Sequence, residues 1–114
     1  MARILPCDLR MASNRLDTLK SMVAQDPASA FARYGLAMEY VNLGRLDEAM
    51  EEFHSLLGSH PDYAAAYFHG GRTLERVGKL DEARVMYQKG IEVTARTGDA
   101  HTRSELQAAL DMLA

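Results

Sequence analysis

The stretch "GRLDEA", Gly44 to Ala49, is written a second time as "GKLDEA", Gly78 to Ala83. Only one letter of six changes, Arg45 to Lys79. The two glycines are 34 residues apart, and so are Pro27 and Pro61. Laying 27–60 on 61–94 adds identities at Ala30/Ala64 and Ala32/Ala66, and conservative pairs at Tyr34/Phe68, Phe53/Tyr87 and Leu57/Ile91. Paired acids beside a glycine invite a reading as a duplicated active site. The period reassigns them to architecture, because a fixed period of this size marks a repeated structural unit.

Each unit reads as two helices. After "GRL", apolar residues at Leu46, Ala49, Met50, Phe53, Leu56 and Leu57 fall on one helical stripe. The second copy gives Leu80, Ala83, Tyr87, Gly90 and Ile91. Upstream, Leu36, Ala37, Tyr40 and Leu43 form a stripe whose equivalents are Gly70, Gly71, Leu74 and Val77. Gly44 and Gly78 stand where one helix stops and the chain reverses, a place that favours the left-handed conformation. Asp47-Glu48 and Asp81-Glu82 put carboxylates in the first turn of the next helix, where the dipole favours negative charge. Ala49 and Ala83 are small where two helices cross, and Leu46 and Leu80 lead the buried stripes.

The period, the glycine, the "DEA", the aromatic at Phe53 or Tyr87 and the proline resemble tetratricopeptide repeats, one unit over about 30–63 and a second over about 64–97. The resemblance implies an all-α, right-handed superhelical stack. Before Pro27, "NRLDTLKSMVAQDP" resembles the second helix of a repeat, with Leu16, Leu19, Met22 and Val23 as its stripe. After Thr97, "GD" breaks the chain, Asp99 suits an N-cap, and Leu106, Ala109, Leu110 and Leu113 make a last stripe. Repeat units need neighbours and end caps to bury their faces. The spacing predicts helices over about 13–25, 28–42, 46–58, 62–76, 80–97 and 99–113. It gives one domain over 11–114, with a leading half-repeat, two full repeats (28–58 and 62–97) and a capping helix. Ser13 or Asn14 is the expected first cap, and residues 1–10 are expected to be a disordered arm. The rival for the arm is that Ile4 and Leu5 dock on a neighbouring molecule.

Composition bounds the function. The 114 residues suffice for one domain, and 47% hydrophobic with 25% charged residues is ordinary for a globular chain. The net charge is −3 and Lys and Arg are scattered, against the basic stripe a nucleic-acid binder needs. No apolar run approaches the ~20 residues of a membrane span, and "MARILPCDLRM" is too short for the apolar core of a secretory signal. Cys7, the only cysteine, follows Pro6 without an apolar run, which disfavours lipid attachment. A single cysteine fits a reducing compartment, and the expected location is cytoplasmic.

Little chemistry is written in the chain. His54, His60, His69 and His101 have no pairing at i, i+3 or i+4, so neither metal nor cofactor is expected. The histidines read as surface or partly packed. "HGGR" lies inside a helix and is no phosphate loop. No nucleophile stands beside a plausible base, so no catalytic residue is assigned. The second copy departs from the pattern at Gly70, which stands where the first has Leu36, and at Gly90, which stands where it has Leu56. Close helix packing is the expected reason, and a cavity for a ligand side chain the rival.

By resemblance, the first helix of each unit lines a concave groove where partners bind. The lining positions are Phe31, Tyr34, Met38, Val41 and Asn42 in the first unit, and Ala65, Phe68, Arg72, Glu75 and Arg76 in the second. A subset of the family clamps the C-terminal carboxylates of chaperone tails. Its positions hold Tyr34, Met38, His69, Asp99 and Arg103 here, of which only Arg103 agrees, so that clamp is not expected. The groove pairs an apolar aromatic end with Arg72 and Arg76. That suits an amphipathic helix or extended peptide carrying apolar anchors and an acidic residue. The expectation is a non-catalytic protein-interaction scaffold. The alternative is a self-associating subunit, a homodimer whose groove is filled by a second copy or by its own termini. The copies disagree most pointedly at Phe31/Ala65, Met38/Arg72 and Val41/Glu75, where a partner rather than the scaffold is expected to set the residue.

Overall fold

The computed structural model describes the backbone of residues 7–113 and the side chains of residues 14–113. Among these, six helices follow one another: α1 (Cys7–Gln25), α2 (Ala30–Asn42), α3 (Leu46–Ser59), α4 (Ala64–Val77), α5 (Leu80–Thr97) and α6 (Ala100–Met112). Each packs on its neighbours in sequence, and α6 also packs on α4. The stack is elongated, about 52 × 32 × 21 Å.

The turns follow the logic of the repeated hexapeptide. Gly44 and Gly78 have φ of 75° and 91°, and Gly98 closes α5 at 82°. Two side-chain caps open later helices. Ser29 Oγ accepts the Ala32 N–H at 3.1 Å ahead of α2, and Asp99 accepts the Thr102 N–H at 3.1 Å ahead of α6. That bond holds the Asp99 carboxyl below its ordinary pKa. At α3 and α5 no side chain caps, and Asp47-Glu48 and Asp81-Glu82 lie in the first turns instead.

Between the helices, Ala37, Ala49, Phe53, Leu56, Ala66, Ala83, Tyr87 and Leu106 are sealed from solvent. Burying a ring the size of Phe53 contributes roughly 2–3 kcal/mol by transfer alone. Gly90 and Gly71 show why glycine is required. A Cβ on Gly90 would lie 2.7 Å from Tyr67 Cβ and 2.9 Å from Leu106 Cδ1, and one on Gly71 would lie 2.2 Å from the Tyr87 ring. Gly70 has more room, its nearest neighbour being Met86 Cε at 3.4 Å. Close helix approach therefore explains Gly90 and Gly71.

Three expectations are corrected. The first helix already includes Cys7, so neither Ser13 nor Asn14 caps it; from Cys7 to Asp26 there is no Gly or Pro to interrupt a helix. The expected arm lies outside the described residues over 1–6, Ile4 and Leu5 included, and Cys7 to Arg10 belong to α1. Leu80 does not lead a buried stripe: it is 47% exposed at the start of α5, and Leu46 is half-buried.

Candidate functional site

The residues expected in a groove lie on α2 and α4. Val41 of α2 and Phe68, Arg72 and Arg76 of α4 border a shallow cavity of about 280 Å³, completed by His69 and Thr73. Helical spacing aligns Phe68, Arg72 and Arg76 at intervals of four. The Arg72 guanidinium lies 5.8 Å from the Phe68 ring centre. Arg72 and Arg76 are exposed, while Phe68 and Val41 are half-buried.

The other expected residues are placed differently. Tyr34 is drawn into the α2–α4 junction, its ring centre 5.2 Å from that of Tyr63 and 6.0 Å from that of His69. Burial, and then the neighbouring Tyr63 hydroxyl, raise the Tyr34 pKa. Met38 is half-buried against the core. Asn42 is exposed at the end of α2. Phe31 is 75% exposed in the first turn of α2 and does not reach the cavity. Ala65 is half-buried at the start of α4.

Glu75 turns away from the cavity, because its carboxylate accepts a hydrogen bond from the Tyr87 hydroxyl of α5. Burial, and then that bond, push the Tyr87 pKa well above its ordinary value. The disagreement Val41/Glu75 thus has an internal cause. The first copy has Phe53 where the second has Tyr87, so only the second needs an acceptor there.

His69 and Thr73 were not assigned to a site by sequence. Their spacing, one residue after Phe68 and after Arg72, was the available signal. His69 is half-buried, its ring centre 5.1 Å from that of Phe68. Desolvation lowers its pKa, and Arg72 lowers it further against an opposing effect of Glu105. Thr73 is buried, and its hydroxyl donates to the His69 carbonyl at 2.7 Å.

Asp99 is a helix cap. Arg103 leaves its expected register, since α4 and α6 start 36 residues apart whereas α2 and α4 start 34 apart. The shift puts Arg103 in the place of Tyr67 and Leu106 in that of Gly70. Among the described residues, no three His, Cys, Asp or Glu side chains gather as a metal site requires. Nor is any helix there long and apolar enough to cross a membrane.

Two profiles described as tetratricopeptide repeat match residues 12–68 and 64–97, and the chain belongs to the tetratricopeptide repeat family. It is 26% identical over 98 residues to TPR repeat-containing protein PA0015 of Pseudomonas aeruginosa, covering 86% of this chain and 93% of the relative. The crystal structure of a tetratricopeptide repeat domain protein from Salinibacter ruber is similar at 35% identity and a TM-score of 0.71, covering 75% of this chain and 94% of that one. The structure of PcrH in complex with the chaperone binding region of PopD superposes with a TM-score of 0.81 over 99% of this chain and 96% of that one. At 16% identity that likeness shows the fold alone. The family supports a general role in protein interaction.

Proposed function

We propose that the chain is a non-catalytic, cytoplasmic scaffold that binds a peptide or helix of a partner protein across α2 and α4. One observation carries the reading: Phe68 and Val41 offer apolar contact in the same cavity where Arg72 and Arg76 present guanidinium groups to solvent. An apolar anchor followed by a carboxylate satisfies both, and Arg pairs with carboxylates in fixed bidentate geometry. PcrH, which shares the fold, is a protein whose structure holds a segment of PopD.

The test is capture from native lysate on the wild-type chain and on Arg72→Glu/Arg76→Glu. Both residues are exposed, so the variant folds, and proteins bound at this site are lost from it. Identical capture by both forms overturns the reading.

A second reading, self-association, rests on Phe31, an aromatic left 75% exposed. It is tested with Met38→Asp in light scattering. A fall from dimer to monomer supports self-association, and an unchanged mass leaves the surface open to a peptide.

A further inference from the structure

A second cavity lies on the opposite side of α4, between α3 and α5. It has a volume of about 590 Å³. Its floor and walls are apolar, with Tyr67 and Leu74 from α4, Leu57 from α3, and Val85 and Met86 from α5. Val85, in the second turn of α5 and on the side away from the fully buried Ala83 and Tyr87, is 59% exposed there.

The repeat supplies an internal control, because the same junction is built once before, between α1 and α3. There Arg33 stands for Tyr67, Tyr40 for Leu74, Glu51 for Val85 and Glu52 for Met86. Arg33 Nη1 donates to Glu52 Oε1 at 2.8 Å, and Nη2 to the Pro27 carbonyl at 3.3 Å. Tyr67 makes the equivalent bond to the Pro61 carbonyl, at 2.6 Å. Arg45 covers the Tyr40 ring at 5.0 Å and bonds Glu48 at 2.6 Å. The scaffold therefore closes one junction with a polar network. At the other it keeps the proline bond and replaces the ion pair by the buried Tyr67 and Met86, with Val85 as the exposed apolar residue at the rim. Stacking two repeats does not require that surface.

Charge marks the two ends of the slot. Asp81 and Glu82 line it in the first turn of α5, and Lys89 lines it two turns further on. At 1.5 Å per residue the separation is about 12 Å. A helix lying antiparallel to α5 puts its own C-terminal end beside Asp81 and Glu82, where the α5 dipole is positive. Cationic side chains near that end meet Glu82, beside an Asp81 that Arg84 Nη1 already contacts at 2.9 Å, and suit the helix's own dipole. Apolar residues at i, i+4 and i+7 give such a helix one ridge, which faces the apolar wall that Leu57, Val85 and Met86 contribute to.

We propose that the slot between α3 and α5 is a second docking site, on the face away from Arg72 and Arg76. Its occupant is an amphipathic helix of a partner protein, with an apolar ridge and a Lys or Arg near its C-terminal end.

The test pans a phage-displayed library of randomised 14-residue peptides against the full chain and measures the enriched peptides by fluorescence anisotropy. Val85→Glu places in the slot the residue that the first junction carries as Glu51. The position is exposed, so the thermal midpoint stays where it was. The expected result is a set of peptides with apolar residues at i, i+4 and i+7 followed by Lys or Arg. They lose at least tenfold in affinity on Val85→Glu, lose severalfold on Glu82→Gln, and are unaffected by Arg72→Glu. The proposal is overturned if every enriched peptide binds Val85→Glu as well as wild type, or if only acidic peptides sensitive to Arg72→Glu emerge. It is also overturned if Val85→Glu changes the mass of the protein in light scattering, which makes a second copy the occupant.

Discussion

Replacing Gly71 by Ala sets two known effects against each other. In a helix interior Ala is favoured over Gly by about 1 kcal/mol. Against that, the new methyl would stand 2.2 Å from one Tyr87 ring carbon and 2.7 Å from two others. The ring has no free direction: it is sealed from solvent and its hydroxyl is tied to Glu75. Overpacking of this kind costs roughly 1–3 kcal/mol, and a contact this short belongs at or beyond the upper end. The expected net loss is about 2 kcal/mol, or a fall of roughly 10 °C in the thermal midpoint for a domain of this size. Gly70→Ala is the matched control one residue earlier. Its methyl would lie 3.4 Å from the end of the flexible Met86 side chain, so the helix preference prevails and stability rises by up to about 1 kcal/mol. Urea unfolding followed by circular dichroism measures both. Adding Tyr87→Leu to Gly71→Ala removes the ring and should leave a coupling of at least about 1 kcal/mol between the two sites. The reasoning fails if Gly71→Ala is as stable as wild type, if both alanines shift stability the same way, or if the double variant is additive.

Three further outcomes are expected. Arg33→Ala removes a 2.8 Å bond to Glu52 between side chains only 17% and 20% exposed, costing about 1.5–3 kcal/mol in chemical denaturation. Adding Glu52→Ala should return part of that loss. Ser29→Ala deletes the cap on the Ala32 N–H and should cost about 1 kcal/mol by the same measurement. The folded-state pKa of His69 lies below its ordinary 6.5, with burial as the main cause. Its contribution to stability is therefore complete above that value and declines as the pH falls through it towards the folded pKa. Urea midpoints at pH 7.5 and 5.5 should differ more for wild type than for His69→Gln, and an equal drop in both refutes the assignment.

The parts legible in the sequence were those dictated by short-range chemistry. The span of α5, Leu80–Thr97, was set by a stripe opening after Gly78 and by the "GD" that ends it. The left-handed glycines and the Asp99 cap are likewise local. What escaped depends on distances between helices. Gly70 and Gly71 look alike in a sequence, and only the position of the Tyr87 ring distinguishes the indispensable one. Ser13 and Asn14 are cap-type residues inside α1, in a segment with nothing to break a helix, and residue type alone does not tell an interior position from a cap. Glu75 seemed to face a groove because helical spacing puts it in the row after Arg72, while its hydrogen-bond partner sits twelve residues away on the next helix.

That last case changes how a difference between repeats is to be weighed. Val41/Glu75 seemed to mark a partner, yet it follows Phe53/Tyr87, since a hydroxyl added in one helix needs an acceptor in the other. Arg33/Tyr67 and Glu52/Met86 change together in the same way, as an ion pair in one copy and an apolar pair in the other. At Met38/Arg72 and Glu51/Val85 the second copy leaves an exposed side chain, although Arg72 also lies over the Phe68 ring and its charge acts on Tyr87, and Val85 changes alongside the buried Met86. A difference compensated inside the fold belongs to the scaffold. One left uncompensated at the surface calls for an explanation outside the chain. Arg72, on α4, and Val85, on α5, are the exposed differences on the two sides of α4, and each is the residue whose substitution tests the site beside it.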